Sequence, residues 1–93
     1  MNKYQLITTS TFKKEYEKMV KRNYNISLLE KIVDQLLKGE KLPEKNKDYA
    51  LSGNWKGYRE CHIEPDWLLV YKIYEDKLIL SLSKTGTHSD SNF

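Results

Sequence analysis

Two histidines, His62 and His88, and one carboxylate, Asp66, are the side chains of this sequence best suited to moving protons at neutral pH. An unperturbed imidazole titrates near 6.5, so such a pair can serve as acceptor and donor in one reaction. RNA can be cut this way. One group takes the 2′-hydroxyl proton, the oxygen attacks the adjacent phosphorus, a second group protonates the departing 5′-oxygen, and a cation steadies the charged phosphorane. Lys56, Arg59 and Lys84 are candidate cations, and Trp67 and the tyrosines offer flat surfaces for an unstacked base. Spacing alone favours a plainer reading, because two strand-end histidines in a chain of 93 residues are ordinary surface hydrogen-bonders.

Other chemistries fit less well. Cys61 and His62 are neighbours on an extended run and point to opposite faces, so they cannot chelate one ion together without a bulge. Cys61 reads as a small core residue, and Trp55 and Trp67, taken one at a time, read as packing residues. The stretch Gly53 to Gly57 has two glycines but lacks the spacing and following helix of a phosphate loop.

These groups need elements to position them. Tyr4 to Thr8 reads as a short strand ending in hydroxyls at residues 8–11 that can cap a helix. Phe12, Tyr16, Met19 and Val20 then recur at helical spacing, and that helix should stop near Asn23. Ser27 and Glu30 form a candidate capping box, followed by an apolar stripe from Leu28 to Leu37 and a stop at Gly39. Lys41 to Asn54 shows neither period and reads as a long loop. Trp55 to Ile63 alternates, with Tyr58, Glu60 and His62 facing one way and Arg59, Cys61 and Ile63 the other. Pro65 sits in a turn, Trp67 to Tyr74 is nearly all apolar like a strand covered on both faces, and Glu75-Asp76 turns into Leu78, Leu80 and Leu82. The order strand, helix, helix, three strands predicts an α+β fold: a twisted, mostly antiparallel sheet with two helices packed on one face. A hairpin at Pro65 brings His62, Asp66 and Trp67 near one another, but their shared face depends on a register the sequence leaves open.

Length and composition set the outer bounds. An 11.1 kDa chain with 39% hydrophobic residues holds one modest core and one domain, too small for a dinucleotide fold or a large barrel. One Cys makes no internal disulfide and anchors no zinc ribbon, and no run approaches the roughly 18 apolar residues that cross a bilayer. No signal pattern is visible at residue 1, so the expected location is the cytoplasm, with no membrane partner. The net charge of +3 is compatible with a polyanion but does not demand one. Basic residues gather from Lys13 to Arg22 and from Lys38 to Lys47, where solvated surfaces account for them.

Three strings add more than spacing does. Leu51 to His62 reads LSGNWKGYRECH, Ile63 to Tyr71 reads IEPDWLLVY, and Lys84 to Asp90 reads KTGTHSD. Together they resemble the YafQ branch of the RelE/ParE toxin superfamily, over essentially the whole chain. The resemblance implies a bacterial type II toxin that cuts mRNA in the A site of the 70S ribosome without a metal or other cofactor. It also implies a cognate antitoxin, through which alone the chain would reach DNA. Carried over by position, His62, Asp66 and His88 match acid/base residues, with His62 and Asp66 on the base side and His88 as general acid. Trp67 matches an aromatic beside them. Tyr49 stands where many relatives have a histidine, Lys84 where an arginine is usual, and the terminal aromatic, Phe93, is shifted by one residue. Two other readings share the fold: a protein-binding toxin like the gyrase-poisoning ParE relatives, and a weakened toxin kept as an antitoxin-bound corepressor.

Overall fold

A computed structural model describes residues 1–90. Its elements are β1 (Gln5–Thr8), α1 (Ser10–Lys21), α2 (Ile26–Leu37), β2 (Tyr49–Ala50), β3 (Arg59–Glu64), β4 (Trp67–Tyr74) and β5 (Ile79–Gly86), with 3-10 turns at Glu44–Asn46 and Gly53–Trp55. The expected α+β architecture is present as one five-stranded sheet in the order β1-β5-β4-β3-β2. Among the described residues, only β1 and β5 run parallel; the other pairs are antiparallel. The stretch read as a loop from Lys41 to Asn54 hides β2, which pairs Tyr49 with Glu60 and Ala50 with Arg59. Two residues are too few to show a period, so sequence pattern could not reveal that strand.

Local chemistry explains the helix ends. Thr9 caps α1 by accepting a hydrogen bond from the Phe12 amide at 3.0 Å, and the chain turns away at Asn23 with φ +62°. The expected Ser27–Glu30 box does not cap α2. Asn25 does so instead, its Oδ1 accepting from the Ser27 amide and hydroxyl, because an Asx side chain reaches the first turn from one residue earlier. After α2, Gly39 takes φ +76°, which a side chain would strain.

Both helices cover one face of the sheet. Phe12 and Met19 of α1 and Leu29, Ile32, Val33 and Leu36 of α2 pack on Cys61, Trp67, Leu69, Tyr71, Leu80 and Leu82. Asp48, from the chain leading into β2, accepts hydrogen bonds from Tyr71 Oη at 2.8 Å and Arg59 Nε at 3.1 Å, tying that chain to the sheet. Among the described residues, no helix is long and apolar enough to cross a membrane.

Two bulges decide what the opposite face displays. Along β5, Leu82 lies opposite Tyr71 but Lys84 lies opposite Val70, so Ser83 is an extra residue. Strict alternation would put Lys84 with Leu80 and Leu82 against the helices. The extra residue turns it over and sends Thr85 to the core instead, opposite Leu69. A second irregularity on β3, between His62 and Glu64, leaves Ile63 buried while His62 faces the side away from the helices.

Candidate active site

Directly opposed residues in antiparallel strands share a face, so the register lays one row of side chains across four strands: Tyr49, Glu60, Val70 and Lys84. The next row is His62, Leu68 and Gly86, and two residues beyond Gly86 comes His88. Leu68 and Val70 floor an open pocket of about 420 Å³ whose walls include Tyr49, Trp55, Glu60, Lys84 and His88. It combines an apolar base with a few convergent polar groups.

The two imidazole rings lie with centroids 5.9 Å apart, near enough for one phosphodiester to reach both. His88 Nδ1 is 2.6 Å from Asp66 Oδ1, and the same oxygen accepts the His88 amide at 3.0 Å. Those hydrogen bonds from His88 hold the Asp66 carboxyl below the usual carboxylate range. An ionised carboxylate only accepts, so Nδ1 carries the proton and Nε2 is left to exchange one. His62 Nδ1 faces the Pro65 carbonyl at 3.2 Å, which by the same logic puts a proton on Nδ1 and leaves Nε2 as the nitrogen that exchanges one. The chain holding His62 is itself anchored: the buried Asn46 donates from Nδ2 to the His62 carbonyl at 2.8 Å, beside the β3 bulge.

The sequence grouped Asp66 with His62; the structure pairs it with His88, because the β3–β4 turn projects it toward the loop after β5. Lys84 reaches the pocket from β5, 8% exposed, with Nζ 3.6 Å from Glu15 Oε2 and 6.0 Å from the Trp55 ring centroid. Glu15 also accepts the Thr85 amide at 3.1 Å. It can do so because β1 ends opposite Leu82 and leaves the edge of β5 open beyond that point. Tyr49 donates to Glu60, and this hydrogen bond pushes its pKa up to about 12, so the phenol keeps its proton and does not serve as a base near neutrality.

Three expected contacts fall elsewhere. Trp67 is 0% exposed on the helix face, its Nε1 donating to Thr85 Oγ1 at 2.9 Å, so it packs and offers no platform to a base. Arg59 sits opposite Tyr71 on that same face and is engaged by Asp48. Lys56 is exposed just after the Gly53–Trp55 turn, outside the pocket lining. Phe93 lies outside the described residues. Trp55 borders the pocket beside Tyr49, 41% exposed and set edge-on to Tyr58. Spacing could not separate the two tryptophans, since their exposure depends on which face each one meets. Alternation put Glu60 on the His62 face without a role, and Glu15 carried no sequence signal at all. Among the described residues, no three of His, Cys, Asp or Glu converge as a metal cluster, and burial pushes the Cys61 thiol far above its ordinary range.

The loop holding His88 should open in acid. Asp66 and Asp90 both have lowered pKa values, Asp90 chiefly through its hydrogen bond from Arg22. The folded state therefore binds fewer protons than the unfolded chain, so their contribution is full above the unfolded carboxylate pKa and is lost as pH falls through the lower folded values. The Thr87 and His88 amides, which donate to Asp90 and Asp66, should change chemical shift with midpoints below about 3.9, the unperturbed Asp value. Midpoints at or above that value in an acid titration followed by NMR would contradict the assignment.

Comparison with known proteins gives three findings. The family model described as the bacterial toxin of a type II toxin-antitoxin system, YafQ, matches residues 4–91. The mRNA interferase toxin YafQ of Escherichia coli strain K12 is 40% identical over 79 residues, 84% of each chain. Two solved structures superpose closely. The E. coli DinJ-YafQ complex matches with TM-score 0.86 and 32% identity, over 95% of this chain and 97% of that one. A metal-bound toxin from Helicobacter pylori matches with TM-score 0.88 and 38% identity, over 95% and 98%.

Proposed function

This chain belongs to the YafQ family of toxins of type II toxin-antitoxin systems, and from that premise we propose that it is an endoribonuclease that cuts mRNA in the ribosomal A site. The observation that carries the proposal is the His62–His88 pair, 5.9 Å apart, with Asp66 fixing the tautomer of one ring. The RNA strand lies over the pocket between β2 and the loop after β5. His62 Nε2 takes the 2′-hydroxyl proton, and the 2′-oxygen forms a bond to the adjacent phosphorus. The bond from phosphorus to the 5′-oxygen breaks as protonated His88 Nε2 gives that oxygen a proton, leaving a 2′,3′-cyclic phosphate and a 5′-hydroxyl. Lys84 supplies positive charge beside the phosphorane, and Trp55 offers its exposed face to a displaced base. The proton transfers use these side chains alone and route nothing through a metal.

Ribosome dependence rests on a physical argument. The pocket is open and the net charge only +3, so affinity for free RNA is small and a translating ribosome would present the strand. The partner proposed for the resting state is an antitoxin, as in the DinJ-YafQ complex of the E. coli relative. An acidic segment that orders on binding would suit the basic surface of α1.

Mapping 5′ ends after induction tests this reading. Cuts confined to translated codons, absent when translation of the same message is blocked, are the expected pattern. Intact mRNA accompanied by DNA damage would move the protein to the gyrase-poisoning class, and absence of growth arrest without antitoxin would make it a corepressor.

A further inference from the structure

A proton donor carried on a loop needs external restraint, and His88 follows the end of β5. Asp66 holds its ring and amide from one side. From the other, the loop is closed by Asp90, whose Oδ2 accepts the Thr87 amide at 2.6 Å and Thr87 Oγ1 at 3.3 Å, while its own amide donates to the Thr87 carbonyl at 3.0 Å. His88 is therefore inside a four-residue turn locked by a carboxylate two residues away. That carboxylate is held in turn by Arg22, which donates from Nη2 to Oδ1 at 3.0 Å and from Nη1 to Oδ2 at 3.4 Å. The guanidinium is well rooted. Arg22 is the C-terminal cap of α1, its amide bonded to the Lys18 and Val20 carbonyls, and Nη1 lies 3.9 Å from Sδ of the buried Met19.

We propose that Arg22 and Asp90 are positioning residues for His88: a two-pronged arginine fork at the end of α1 transfers the rigidity of the helix-sheet core to the turn that aims the imidazole. The proposal rests on the reading of His88 as proton donor. Arginine is suited to the role because its planar fork fixes direction as well as distance, which an ammonium does not. Magnitudes separate positioning from stabilisation. Arg22 and Asp90 side chains are 43% and 27% exposed, and ion pairs so placed contribute little to global stability. Small misplacements of a reacting group, however, can cost up to about a hundredfold in rate.

The test uses Arg22→Gln, Asp90→Asn and the double variant, with two readouts. Imidazole 15N–1H spectra of the free toxin report the His88 Nδ1–H bonded to Asp66, and cleavage on translating ribosomes reports kcat and KM. Each single variant should weaken or broaden the His88 Nδ1–H signal and lower kcat about tenfold, with KM within about twofold and the thermal midpoint nearly unmoved. The double variant should be no slower than the slower single, because both act through one path. Unchanged His88 imidazole signals in the folded variants overturn the proposal, as does wild-type kcat in either single variant. If wild-type protein fails to cleave mRNA, the functional reading falls, while the imidazole spectra still decide whether the fork positions His88.

Discussion

Replacing His88 with Ala is expected to reduce mRNA cleavage by about 10²- to 10⁴-fold, the usual cost of losing a positioned general acid. Growth arrest should disappear with it. The fold should survive, because the side chain is 59% exposed and its hydrogen bond to Asp66 is made at the surface. Antitoxin binding should also survive, so a pull-down with the cognate antitoxin separates lost chemistry from lost structure. His88→Gln is a stricter comparison, since it keeps a polar side chain but cannot carry the transferable proton. A folded His88→Ala protein that still arrests growth and still produces mapped cuts would remove His88 from the mechanism.

The second large effect concerns stability. Trp67→Ala should destabilise the protein by about 3–5 kcal/mol, because the indole is fully buried, meets Tyr24 edge-on at 5.2 Å between centroids and donates to Thr85. Against the roughly 5–15 kcal/mol typical of a small domain, that loss removes about a fifth or more of the total. Toxicity should fall through reduced abundance. Trp55→Ala should behave in the opposite way, with little change in the denaturation midpoint but weaker RNA engagement, by roughly the 1–3 kcal/mol of one base-aromatic stack. Urea denaturation of both variants, read beside cleavage, distinguishes them. A Trp67→Ala protein with a wild-type midpoint and lost cleavage would return that indole to the RNA surface.

The contrast between the two tryptophans shows how far sequence pattern reaches. Helical spacing located α1 and α2 to within a few residues, and alternation on β3 correctly separated Cys61 and Ile63 from Glu60 and His62. The order of elements and the mostly antiparallel sheet were legible because two consecutive helices followed by strands joined by short turns permit few sheets, whereas the place of β1 beside β5 came only from the fold. The short β2 was not legible, and neither was the α2 cap, where Asn25 rather than Ser27 reaches the first turn. Motif resemblance singled out His62, Asp66 and His88, but it grouped Asp66 with His62, whereas the carboxylate bonds His88, and it left Trp67 to stack or to pack, which burial against the helices decides.

By itself, the sequence determined which groups could do chemistry, the class of fold that carries them and the family to which the chain belongs. Residue type sets the available pKa range, and periodicity sets which residues must be buried. What the tertiary structure decided was their assembly. An extra residue in β5 turns Lys84 from the helix face to the pocket, and the end of β1 opens the edge that Glu15 fills. The β3–β4 turn carries Asp66 to His88, and the cap of α1 brings Arg22 to Asp90, 68 residues away in the chain. The physical reason is that a one-residue offset reverses every following side chain, and long-range contacts are chosen by the packing of whole elements. Neither is encoded in local spacing.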